Sequence, residues 1–198
     1  MPDLRILEHL QASLAASSPV VLSRERCPAR AAVAVTLVES GPDLHVALMR
    51  RADRPDDPWA GQMSFPGGRE EPGDQDPWAT AIREAEEELG LQLARAHRLG
   101  RLDDVQALAA GRALPLAIAP LLFALPQRQP LRPRADEVAE GLWVPLAALR
   151  DPARRVVVRR SFDGQPYELP GVDYEGRIVW GLTYRMLQSL FTRWPERP

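Results

Sequence analysis

A chain of 198 residues has room for one ordinary domain and little more, and a composition 45% apolar, 26% charged and 6% aromatic excludes a disordered tail, a collagen-like repeat and a coiled-coil rod. The net charge of -2, with 25 basic residues that are all arginine, lacks the basic excess of a non-specific nucleic-acid binder, so no nucleic-acid partner is expected. The single cysteine, Cys27, excludes an internal disulfide framework; no apolar run reaches the roughly 18 residues of a spanning helix, and the start lacks the basic-then-apolar order of a secretory signal, so a cytoplasmic protein without a membrane partner is expected.

In residues 3–16, Leu4, Leu7, Leu10 and Leu14 recur at helical spacing behind Asp3, a residue suited to capping, which predicts a short amphipathic helix. Residues 17–30 read as a linker. Strands are predicted at 31–39 (AAVAVTLVE) and 44–50 (LHVALMR), joined by the turn signal Ser40-Gly41-Pro42-Asp43. A loop rich in Arg, Asp and Pro follows at 51–60. The segment 61–68 (GQMSFPGG) has a short strand-like centre that ends in a Pro-Gly-Gly break, and an acidic loop at 69–76 leads into a helix. That helix is well marked: Asp76 can cap it, Pro77 suits its first position and Gly90 its end.

Further on, 99–103 and 118–124 read as strands, 137–144 ends in a third, and 146–149 makes a helical turn. Residues 156–159 and 167–169 can pair across Asp163-Gly164, and a final helix runs from about Leu182. Mixed strands with one early and one late helix predict a single sheet covered by helices.

The segment 78–91 (WATAIREAEEELGL) carries the chemistry. At 100° per residue with Ala81 as zero, Trp78, Ala81, Ile82, Ala85 and Leu89 fall between about 0° and 100°, an apolar face. Glu84, Glu87 and Glu88 fall near ~300°, ~240° and ~340°, and their i, i+3 and i+4 spacing brings them together. Arg83, near ~200°, is expected to leave the acidic arc uncompensated. Two readings stay open for such a cluster: a solvent-facing acidic helix, or a ligand set for divalent cations, where oxygen donors favour magnesium or manganese over zinc. The neighbouring Pro66-Gly67-Gly68 break, followed by Glu70, Glu71 and Asp74, adds backbone that a ligand could approach closely.

The segment 68–91, GREEPGDQDPWATAIREAEEELGL, resembles the Nudix box of hydrolases that cleave a nucleoside diphosphate joined to another group. Its second half, R-E-A-E-E-E-L-G-L, departs from the usual pattern only at Ala85. Asp74 stands where the pattern has glutamate, with one residue more than usual before Arg83. The upstream run Gly61-Gln62-Met63-Ser64-Phe65-Pro66-Gly67-Gly68 and the later Trp180-Gly181-Leu182-Thr183 are similar to the coenzyme A pyrophosphatase branch, whereas 51–60 departs from it.

The resemblance implies an α/β fold, a Nudix-type α/β/α sandwich with a central mixed β-sheet. It implies a Nudix domain at 30–198, with the helix and linker of 1–29 packed on it. The implied activity is metal-dependent hydrolysis of a pyrophosphate bond, in coenzyme A or an acyl-CoA, giving two phosphate monoesters. ADP-ribose, NADH and dinucleotide polyphosphates are the alternative substrates, and a catalytically silent nucleotide-binding module is the alternative of another class. Glu84, Glu87 and Glu88 become ligands of Mg2+ or Mn2+ together with Gly68. Gly67 and Gly68 offer backbone contacts to phosphate, and Arg83 supports the loop around Glu70–Asp74. Glu84 or Glu87 is expected as general base, with Glu137, six residues before Trp143, as the downstream candidate. Arg50, Phe65 and Asp103 are candidate substrate contacts. The cluster Arg154, Arg155, Arg159 and Arg160 suits either an extra phosphate or the guarding of an edge strand. The expected partner is a small nucleoside diphosphate derivative, and a homodimer is compatible with the resemblance.

Overall fold

The run Ala32–Val38 has no polar alternation because strand β1 (Ala29–Ser40) is buried on both faces. In the computed structural model, which describes residues 5–162 and 164–194, β1 is the axis of an eight-stranded mixed sheet. Its neighbours are β2 (Asp43–Arg51), antiparallel, and the long β7 (Arg112–Leu125), parallel from Ala29↔Leu116 to Val38↔Leu125. Near its start β1 also pairs with the short β4 (Gly67–Arg69). The outer positions are filled by β3 (Met63–Ser64) and β8 (Val138–Pro145) on β2, and by β5 (Arg98–Arg101) and β6 (Val105–Ala109) on β7.

The period of two along β1 separates two cores. Ala32, Ala34 and Val38 face helix α2 (Pro77–Leu89), meeting Ala81, Ala85 and Leu89; the small residues on both sides let helix and sheet approach closely. Val33, Val35 and Leu37 face the other way, into a core that Leu10 and Leu14 of α1 (Arg5–Ala15) share with Met186, Leu187 and Leu190 of α4 (Gly181–Thr192). Helices on both faces of a mixed sheet give the expected α/β/α layers. The predicted single sheet is in fact two. A three-stranded sheet of β9 (Arg155–Phe162), β10 (Gln165–Tyr174) and β11 (Arg177–Trp180) follows α3 (Leu146–Arg150), and Arg177 pairs in bidentate fashion with Glu140 of β8.

Helix α2 begins and ends as its sequence requires. Asp76 accepts a hydrogen bond from the Ala79 amide at 2.8 Å, and Gly90 closes the helix in the left-handed region (φ 68°). The predicted linker at 17–30 is pinned down: the Asp103 carboxylate accepts from the Val20 amide at 2.8 Å, Asp104 accepts from Leu22 at 2.9 Å, and Cys27 is buried. The predicted cap Asp3 and turn residue Asp163 lie outside the described residues. Among the described residues, no helix is long and apolar enough to cross a membrane.

Candidate active site

Two glycines bring strand and helix together. A Cβ on Gly67 would lie 2.3 Å from the Ala32 carbonyl oxygen and 2.6 Å from the Val33 Cα, so this position must be glycine for β4 to lie against β1. A Cβ on Gly68 would lie 2.3 Å from Oε1 of Glu84, in space that the carboxylate occupies. The Pro-Gly-Gly segment, predicted as a break, is therefore paired strand from Gly67 onward, and its glycines serve close packing rather than a turn.

The three glutamates of α2 meet different surroundings. Glu88 is 4% exposed and accepts a hydrogen bond from the Gly67 amide at 2.7 Å. Burial raises its pKa to about 8, against the pull of that amide, and the charge of Glu84 adds to the rise. Glu84 is also raised, first by burial and then by Glu87 and Glu137, although Arg83 opposes this. Glu87 is the most exposed of the three.

Arg83 departs from the expectation that it would leave the acidic arc uncompensated. Its guanidinium reaches Glu84 at 2.9 Å and Glu87, its i+4 neighbour, at 3.3 Å, because i and i+4 positions lie side by side on the helix and the arginine side chain is long. It also donates to both oxygens of Asp74, at 3.2 and 3.0 Å, and to the Arg69 carbonyl at 3.1 Å, so it ties the acidic loop to the helix.

Glu84, Glu88 and Glu137 share a cleft of about 380 Å³ with Gly67 and Gly68. Its apolar wall includes Val33, Met63, Phe65, Ile118 and Met186. Phe65 is 1% exposed, so it both belongs to the core and lines the cleft. Three arginines absent from the expected site, Arg51, Arg54 and Arg69, stand on the cleft; Arg51 pairs with Asp57 at 2.6 Å, and Arg54 with Glu137 at 3.6 Å. Arg50 is not among the lining residues: the strand turns successive side chains to opposite faces, and a register irregularity at Arg50/Arg51 leaves Arg51 toward the cleft. Asp103 is also outside it, engaged with the Val20 amide. Thr183 is a further residue that sequence reasoning missed, although it lies in the Trp-Gly-Leu-Thr segment already singled out. Its buried hydroxyl donates to the Met63 carbonyl at 2.9 Å, fastening α4 to the cleft strand.

The donors suit a hard divalent cation. They are carboxylate oxygens, with no imidazole or thiol on the cleft, and Gly68 leaves room for the Glu84 carboxylate against its backbone. Among the described residues, no three acidic, imidazole or thiol side chains already converge on one point; Arg83 and the Gly67 amide take up the charges instead.

A mixed sheet between helices thus carries a cleft that combines acids, arginines and a glycine strand. The profile of the NUDIX domain matches residues 28–163. The "Uncharacterized Nudix hydrolase NudL" of Yersinia pestis (strain Pestoides F) is 30% identical over 161 residues, covering 81% of this chain and 77% of that protein. Among solved structures, the fold is similar to a MutT/nudix family protein from Enterococcus faecalis, with TM-score 0.61 and 16% identity over 94% of this chain and 68% of that one. It is also similar to the Nudix hydrolase RenU from M. smegmatis, with TM-score 0.51 and 17% identity over 87% and 90% of the two chains. The chain belongs to the Nudix family. It is a pyrophosphohydrolase of nucleoside diphosphate derivatives, and hydrolases of this family generally use divalent metal ions.

Proposed function

We propose that the protein hydrolyses the pyrophosphate bond of coenzyme A or an acyl-CoA, with Mg2+ or Mn2+, and releases two phosphate monoesters. The observation that carries this reading is the placement of the run resembling the coenzyme A branch: Gln62, Met63, Ser64, Phe65, Gly67 and Gly68 all line the cleft that holds Glu84 and Glu88. A segment that distinguishes one branch would be expected to touch substrate.

In this reading Glu84 and Glu88 on the cleft, with the more exposed Glu87 beside them, would hold the cation together with the Gly68 backbone. Bound there, such an ion would neutralise phosphate charge and lower the pKa of water. Arg83 positions these carboxylates and the acidic loop without touching substrate. Arg51 and Arg54, which also line the cleft, would offset the charge of the substrate phosphates. Glu137, about one-third exposed and paired with the exposed Arg54, is the carboxylate best placed to accept the proton of the attacking water.

The test is a magnesium-supplemented panel of coenzyme A, acetyl-CoA, ADP-ribose, NADH and a dinucleotide polyphosphate, with both products identified. Coenzyme A should be split into two monoesters with no inorganic phosphate released, and Glu84→Gln should lower turnover by more than about 10²-fold. Rapid cleavage of ADP-ribose with none of coenzyme A or its esters would overturn the substrate assignment.

A further inference from the structure

A second cavity of about 700 Å³ adjoins the first, with Trp59, Gln62 and Leu182 lining both. It lies between the turn joining β6 to β7, the segment 58–62, the three-stranded sheet and the start of α4. Two contacts tie its walls together. The Trp59 indole donates to the Leu108 carbonyl at 2.9 Å, and Gly111 abuts Phe162 so closely that a Cβ would come within 3.1 Å of that side chain. Trp59, Phe162, Tyr167, Trp180 and Tyr184 supply aromatic surface, and Arg160 and Arg185 supply positive charge.

No Asp or Glu occurs among the described lining residues. Arg160 stacks 4.6 Å over the Trp180 ring and donates to its neighbour's carbonyl, and among the described residues neither arginine has a carboxylate partner. Aromatic faces take a nucleobase by stacking, and unneutralised guanidinium groups take a phosphate monoester. The volume lies within the usual range for a small-molecule site, roughly 300–1,000 Å³.

The geometry points to a subsite for the adenosine end of the substrate, with the base among the aromatic residues and an additional ribose phosphate on Arg160 and Arg185. The pyrophosphate then lies toward Glu84 and Glu88 in the adjoining cleft. This assignment deepens the coenzyme A reading and rests on it, but it is tested without turnover.

Adenosine 3′,5′-bisphosphate and adenosine 5′-monophosphate are titrated calorimetrically into the full chain and into Arg160→Gln/Arg185→Gln. Both arginines are exposed, so the double variant is expected to fold. The bisphosphate should bind wild type at least tenfold more tightly than the monophosphate, and the double variant should bring the two within about twofold. Tyr167→Ala should weaken both ligands severalfold by removing a stacking surface. Equal affinities in wild type, or an advantage that survives in the double variant, would overturn the subsite. Preference for the bisphosphate in a protein that leaves coenzyme A uncleaved would retain the subsite and refute the substrate reading. Cleavage of coenzyme A with no such preference would do the reverse.

Discussion

Replacing Asp74 by asparagine tests whether the Arg83 network holds the acidic loop against α2. The Asp74 side chain is 7% exposed and accepts from Arg83 Nε and Nη2, from the Thr80 hydroxyl at 2.9 Å and from the Glu71 amide at 3.0 Å. Chiefly the Arg83 hydrogen bonds, and then those of Glu71 and Thr80, lower its pKa from 3.8 to about 2. A carboxylate with a depressed folded-state pKa stabilises the fold above its unfolded pKa and loses that contribution as pH falls through the folded value. The shift corresponds to about 2 kcal/mol near neutrality, with roughly half of it gone near pH ~3 and most of it near pH ~2. Urea unfolding of wild type and Asp74→Asn, repeated from neutral pH downward, measures the difference directly. The two stabilities should converge across that acidic window. A constant gap down to the lowest pH, or no gap at neutrality, would refute the network's role.

The two cleft glycines should fail differently. Gly67→Ala drives a methyl group into the β1 backbone and should cost about 2 kcal/mol or more in urea unfolding. The nearest atoms to a methyl group in Gly68→Ala belong to the flexible end of Glu84, so turnover should fall more than tenfold while the unfolding midpoint changes little. Thr183→Val removes the buried hydroxyl bonded to the Met63 carbonyl and should destabilise by about 1 kcal/mol, which thermal unfolding would register.

Helix α2 was legible because its signals are local. Asp76, Pro77 and Gly90 act within one turn of their own positions, and the apolar stripe is set by periodicity alone. The acidic cluster was legible for the same reason, whereas the reach of Arg83 was not: a wheel projection gives the direction of a Cβ, not where a long side chain ends. Asp103 was a candidate substrate contact because it follows the predicted strand segment Leu99-Gly100-Arg101-Leu102, but its partner is Val20, 83 positions away, and no local pattern carries that contact. Strand β6 and the start of β7 were missed because their turn uses Ala110 at φ 47° before Gly111, and alanine is a weak turn signal. Arg51 and Arg54 lay in a loop whose composition gave no direction. Only the pairing of β2 with β3 and β8 settles which arginine meets the cleft.

The central claim is that the α2 glutamates hold a divalent ion beside the Gly67–Gly68 strand. A titration of Mn2+ followed by electron paramagnetic resonance, with nucleotide present, compares wild type with Glu84→Gln/Glu88→Gln most directly. Saturable binding in wild type, weakened at least tenfold in the double variant, is the predicted result; equal Mn2+ affinity in the two proteins would contradict it.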